Sequence, residues 1–412
     1  MTACGLDFGT SNTTLGLAGQ GLARLEDDEA TLPSAIFFPP TASALVGRAA
    51  LKAYRDGEPG RLMRSLKSAL GTSLIEETTQ IGRERVKFRD VIGRYVGVVR
   101  RRAEQATGAE LDAVVHGRPV HFVDGDPAGD ARAEDTLREI AHSVGFREIS
   151  FQYEPVAAAL DYERTIGAEE LALIADIGGG TSDFSVVRLS PERHRAADRS
   201  ADILANDGVR IGGVDFDRRL SLGVAMPLLG FRSPMKRAGL EAPSSWFHDL
   251  ATWQSINKLY DGKAVRSIRE TRRESAAPEL LDRLIRVIEA EAGHGLAADV
   301  EAAKIGLSDA ALATVPLGIA ERGLFAEVAP DDLVRHTREL AARIAARIGD
   351  CLLKAGVSAE RIDAVFLTGG STRLAHVRAA ILAAVPGARV AEGDTFGSVG
   401  SGLALEAARR YG

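Results

Sequence analysis

The sequence predicts an α/β fold built from two related halves, on three observations. First, 173-LIADIGGGTSDFSVVRL-189 is an apolar run ending at Asp176, a turn of three glycines, then Thr181 and Asp183. Beyond the turn, Phe184, Val186 and Leu189 alternate with Ser185, Arg188 and Ser190, the pattern of a β-hairpin. Second, 4-CGLDFGTSNTTLGLA-18 repeats the device, with Asp7 at a strand end before Gly9, Thr10, Ser11 and Asn12. Two such hairpins read as an internal duplication. Third, strand pairs alternate with helices along the chain, and another strand meets a glycine turn at 364-AVFLTGGSTRLAHV-377.

The chemistry follows from the turns. Glycine has no Cβ, so the N–H groups of Gly178, Gly179 and Gly180 can converge on an anion such as a phosphate. Asp176 and Asp183 flank that turn and offer the hard oxygen atoms that Mg²⁺ takes, usually through its waters. A plain tight hairpin would produce one such pattern. Its repetition around Asp7, and the third turn at Gly369-Gly370, point instead to a nucleotide held between the two halves.

Taken in order, the first hairpin is followed by 32-LPSAIFFPP-40, a strand bracketed by prolines. Residues 44–57 run from a short strand into a helix, and 61-RLMRSLKSALG-71 reads as a second helix stopped at Gly71. Phe88, Ile92, Tyr95, Val96 and Val99 share one face of a helix over about 88–106. A strand at 111–115 enters a turn held by Pro119, and a helix covers about 130–143. In 148-EISFQYEPVAAALDYE-163 a strand gives way to a helix that Pro155 starts at a position it tolerates. Residues 190–203 are polar with little pattern, the place of an edge strand and loop. Gly212-Gly213 precede an amphipathic helix carrying Asp215 and Asp217 in its first turn. Helices are expected at about 245–260, 277–292 and 297–307, and a strand within 310–320. The longest helix spans about 331–354 before Gly356, followed by a strand at 363–368 and helices at about 373–384 and 396–410.

Composition narrows the function classes. The 412 residues exceed the size at which one core stays single. A net charge of −6 gives no reason to expect nucleic acid or an anionic membrane as partner. The two cysteines, Cys4 and Cys351, have no metal spacing, and the eight histidines sit in no ligand spacing. No apolar stretch reaches the length that spans a bilayer. The first residues run straight into the strand of Asp7, which leaves no room for a signal peptide, so the expected location is the cytoplasm.

Seven stretches then resemble the ATPase domain of the seventy-kilodalton heat-shock chaperones (DnaK-type), within the actin-like superfamily. They are GLDFGTSNT at 5–13, LPSAI at 32–36, YEPVAAAL at 153–160, DIGGGTSDFSV at 176–186, IGGVDFDRRL at 211–220, EAAKIGLS at 301–308 and GGSTRL at 369–374. The resemblance implies an actin-like ATPase fold: two duplicated ribonuclease H-like lobes around a nucleotide cleft, each with an accessory subdomain. Lobe I would be 1–165, with its accessory part near 40–110 and the C-terminal helix 395–412 completing it. Lobe II would be 166–394, with its accessory part near 230–308.

The resemblance also implies a site for ATP or ADP with Mg²⁺. Asp7 and Asp176 match carboxylates around the hydrated metal, and Glu154 a glutamate near it. Gly9, Thr10, Ser11 and Asn12 match the first phosphate loop, and Gly178, Gly179, Gly180 and Thr181 the second. Thr181 and Asp183 match residues near the γ-phosphate and the attacking water. Gly212 and Gly213 belong to a further glycine motif of the nucleotide site. Glu301, Lys304 and Ser308 match the helix over adenine and ribose, with Glu301 and Lys304 on one face. Gly369, Gly370, Ser371 and Arg373 match the opposite wall, and Asp394 an aspartate near the nucleoside.

Three departures qualify the match. The family's catalytic lysine falls within 46-VGRAALK-52, where Leu51 holds the matching position; Lys52 beside it and Lys67 in the next segment are the candidate replacements. Ile305 stands where the family has an arginine that stacks on adenine. The chain ends at Gly412, so the family's peptide-binding domain is not expected, as in its truncated YegD-like subgroup. The expected function is slow Mg²⁺-dependent ATP hydrolysis by a monomer whose lobe closure is read by a protein partner. An actin-fold small-molecule kinase, a filament protein and a non-hydrolysing nucleotide-binding scaffold are the alternatives.

Overall fold

The computed structural model describes residues 2–17, 19–82, 84–123, 125–193, 196, 198–253, 255–391 and 397–412. The chain forms two compact units. The first comprises 1–209, 347–370 and 382–412, and the second 210–346 with 371–381.

The first unit holds two sheets of the same design. In one, Glu148–Tyr153, Ala113–Arg118 and Ala3–Phe8 run parallel, then Asn12–Leu17 and Gly21–Leu22 continue antiparallel, with Leu32–Pro33 also pairing on Asn12–Leu17. In the other, Arg389–Val390, Ala364–Thr368 and Glu170–Ile177 run parallel, then Ser182–Leu189 and Ile203–Val209 continue antiparallel. Each sheet thus turns from parallel to antiparallel at a central strand, and those strands carry Asp7 and Asp176. This shared order is the three-dimensional form of the repeated hairpin.

Strand alternation sets the packing. Cys4, Leu6 and Phe8 are buried on one face of the first strand, in a core with Tyr95, Val96 and Val99 of helix Phe88–Thr107. Full burial of each large apolar side chain contributes about 1.5–3 kcal/mol. The opposite face carries Ala3 and Gly5 and lies against helix Ser398–Tyr411. There the backbones approach so closely that a Cβ at Gly5 would stand 2.2 Å from the Leu403 backbone. A Cβ at Gly402 would stand 1.8 Å from the Ala157 carbonyl oxygen in helix Glu154–Glu163. Backbone atoms cannot swing aside, so Gly402→Ala is expected to destabilise by about 3 kcal/mol, the upper end for overpacking. Thermal denaturation checks this, and an unchanged midpoint would show that the helix can lift without cost.

The segment 61–71 is not the expected helix. Arg61–Arg64 is a strand paired antiparallel with Ala35–Phe38, and Leu66–Ala69 is a 3-10 turn. Cross-strand pairing that buries Met63 overrides the helical pattern. Ser65, at φ 55, makes the left-handed corner between the two.

The second unit is mainly helical. Helix Pro278–Glu289 buries Leu281, Leu284, Ile285, Val287 and Ile288. Helix Gly262–Arg273, which the apolar pattern does not announce, has Ile268 as its buried residue and is capped by Asp261. The expected helix at 245–260 is a short helix, Ser245–Leu250, and a 3-10 turn, Ile256–Tyr260. The strand Ala313–Pro316 pairs with Phe325–Val328, a partner absent from the sequence reading. Among the described residues no helix is long and apolar enough to cross a membrane.

Candidate functional site

Pairing register assembles the site. Asp176 lies opposite Asp183 across its hairpin and beside Thr368 on the parallel strand. Thr368 was not singled out in the sequence, although it directly precedes the glycine pair 369–370. The turn between the two aspartates closes with Gly178 N–H donating to the Thr181 carbonyl at 2.9 Å. Thr181 Oγ1 donates to Asp183 Oδ2 at 2.9 Å. Gly369 adopts φ 80, and a Cβ there would meet Ile177 O at 2.4 Å and Asp176 Oδ1 at 2.7 Å, so only glycine fits. The N-terminal turn meets the central one: a Cβ at Gly179 would stand 2.1 Å from Ser11 Oγ. Gly9 likewise abuts the Asn12 carbonyl, and Thr10 lies between them on the same turn.

Lys67 enters this site from the 3-10 turn. Its Nζ stands 2.6 Å from Glu154 Oε1, and both side chains are largely buried. Burial works against the lysine's charge, but Glu154, Asp7 and Asp176 outweigh it and hold the pKa above the ordinary value. Around this one cation the carboxyls resist ionisation. Burial, then Glu154, push Asp7 up to about 8 and Asp176 up to about 6, with Lys67 opposing both shifts. Asp183, open to solvent but crowded by protein, is raised in the same direction by desolvation and by Asp176. Lys52, the other candidate lysine, lies on the exposed face of helix Arg48–Arg55 and pairs with Asp56.

Four carboxyls, those of Asp7, Glu154, Asp176 and Asp183, face a single lysine, an excess of negative charge that a hydrated divalent cation suits. Among the described residues no three His, Cys, Asp or Glu side chains are grouped to hold a metal ion directly. Glu154, Asp176, Asp183 and Thr368 also line a cavity of about 40 Å³ with Pro119, His121 and Asn206.

His116, on strand Ala113–Arg118, is buried nearby. Burial lowers its pKa to about 4, against the hydrogen bond between Nδ1 and the Gly117 carbonyl at 2.7 Å. The unfolded chain takes up a proton near pH 6.5 that the folded chain refuses. Stability present above pH 6.5 is therefore lost as pH falls toward 4, by about 3 kcal/mol in all. Denaturant titrations at pH 7 and pH 5 are expected to differ less in His116→Gln than in the parent. An equal difference would remove His116 from the acid limb.

The remaining residues named from the sequence lie mostly in the second unit. Gly212 and Gly213 start helix Gly213–Leu220, where the Gly212 N–H is taken by Asp215 Oδ2 at 2.9 Å. Lys304 is buried rather than projecting freely: its Nζ stands 2.8 Å from Asp217 Oδ1 and donates to the Gly213 carbonyl at 3.2 Å. Glu301 and Ser308 are half-buried on and just after helix Gly293–Gly306, and Ile305 is exposed. Ser371 is buried, and Arg373 pairs with Asp309 at 3.1 Å. Gly370 opens the 3-10 turn that holds both. Asp394 lies outside the described residues.

Comparison with known proteins supplies the relatives. A chaperone protein HscA homolog from Azotobacter vinelandii is 31% identical over 245 residues, 53% of this chain and 37% of its own length. HscA homologs from Delftia acidovorans and Laribacter hongkongensis are 24% and 25% identical over 402 residues, 92% of this chain and 54% of theirs. The chain is thus similar to chaperone HscA homologs over 53% to 92% of its length. No family model matches it. The chain spans about half or less of the length of the HscA homologs it matches. Its mixed α/β architecture agrees with an actin-like ATPase fold.

Proposed function

We propose that the protein binds ATP with Mg²⁺ and hydrolyses it slowly, as a heat-shock chaperone-like ATPase. The observation that carries this reading is Lys67, set against Glu154 and in the field of Asp7 and Asp176. Phosphoryl transfer asks little covalent chemistry of a protein; it asks for neutralised charge and a positioned water. Backbone N–H groups of 9–12 and 179–181 would hold the phosphates, Lys67 would offset charge on the transferred group, and Thr181 with Asp183 would orient the water. Mg²⁺, held through water by Asp7 and Asp176, would supply the balancing positive charge. In this proposal the lobes 1–165 and 166–394 close with nucleotide state, a protein partner reads the closure, and the protein acts as a cytoplasmic monomer.

Single-turnover ATP hydrolysis, measured with nucleotide affinity on the same sample, tests this. Turnover is expected, and Asp176→Asn is expected to slow it by roughly 10²-fold. Unaltered hydrolysis in that variant would take Asp176 out of the mechanism. Tight binding without phosphate release would reduce the protein to a nucleotide-binding scaffold.

A further inference from the structure

We propose that His121, held by Asp130, accepts the proton of the attacking water; the inference rests on the hydrolytic reading above. His121 Nδ1 lies 2.9 Å from Asp130 Oδ2. The carboxylate is fixed independently, accepting from the Phe122 and Val123 N–H groups on its other oxygen. It belongs to helix Pro127–Ser143, which Asp126 caps, so the acceptor sits on a rigid element. A carboxylate there can only accept, so Nδ1 carries the hydrogen, and in the neutral imidazole Nε2 then has the lone pair. This is the arrangement by which a carboxylate orients an imidazole base.

The placement suits the role. His121 lines the same 40 Å³ cavity as Glu154, Asp176 and Asp183, a space large enough for water with those polar groups as its partners. Asp183, by contrast, already accepts the Thr181 hydroxyl on one of its oxygens, which leaves it placed to orient the water. The His121 side chain is 50% exposed, so a proton taken inside can leave to solvent. Arg118, three residues before His121, is committed to Glu134 and stacked over Phe122 and Tyr153. In the step, a water O–H bond breaks and its proton goes to Nε2. The water oxygen bonds the γ-phosphorus, the bridging P–O bond breaks, and its electron pair leaves with ADP.

Single-turnover hydrolysis by His121→Ala, with and without added imidazole and alongside nucleotide affinity, tests the inference. The rate is expected to fall roughly 10²-fold with affinity unchanged, to recover in part with imidazole, and to fall less in Asp130→Asn. An unchanged rate in His121→Ala overturns the inference, as does a loss that imidazole leaves unrestored. If the parent protein itself shows no turnover, the hydrolytic reading falls and takes this inference with it. Parent turnover that survives the substitution sinks the inference alone.

Discussion

Lys67→Ala is expected to slow single-turnover ATP hydrolysis by roughly 10²–10³-fold, the loss typical of one preorganised charge-stabilising donor. Nucleotide affinity should change only a few-fold, because backbone N–H groups would hold most of the phosphate. Lys52→Ala is expected to change neither quantity. The contrast comes from surroundings. Lys67 is 11% exposed and faces Glu154 at 2.6 Å, whereas Lys52 is 71% exposed and pairs with a neighbour on its own helix. Removing Lys67 also leaves Asp7, Glu154 and Asp176 without their shared cation, so the free protein should lose stability and bind Mg²⁺ no less readily. Equal rates for both variants would end the proposal that Lys67 is the replacement lysine.

Arg199→Ala is expected to destabilise the fold by about 3–5 kcal/mol, the cost of breaking a buried ion pair. Arg199 is buried with Glu163 and Asp202. Its Nη1 and Nη2 donate to the two Glu163 oxygens at 2.8 and 2.7 Å, and its Nε to Asp202. Glu163 Oε1 also accepts from the Ser190 N–H at 2.8 Å, and Arg193 reaches Asp202 from the surface. Without the guanidinium, two carboxylates stay in a low-dielectric interior with too few partners. Replacing Arg199, Glu163 and Asp202 together by apolar residues should cost less than the single change, because no charge is then stranded. Urea titration measures both. A single-variant loss below about 1 kcal/mol would mean that water reaches the carboxylates.

These two sites mark how far the chain could be read. The aspartate-flanked turns were legible because their signal is local: glycines and small polar residues next to an acid at the end of an apolar run. Helix Phe88–Thr107 was legible for the same reason, through its periodic apolar face. By contrast, 190–203 showed only polar residues without pattern, and Arg199 and Asp202 in it prove to be among the most buried charges in the chain. The 61–71 segment failed as a helix because its partner strand, Ala35–Phe38, lies well upstream.

The sequence by itself determined the duplicated α/β plan and the positions of Asp7, Asp176 and the glycine turns, since turn chemistry and strand alternation act over a few residues. Only the tertiary structure decided which lysine joins the carboxylates. Lys67 and Glu154 are 87 residues apart, and neither carries a mark that names the other. A charge acquires its role from the groups around it in space, and folding brings those groups from strands, turns and helices distant along the chain.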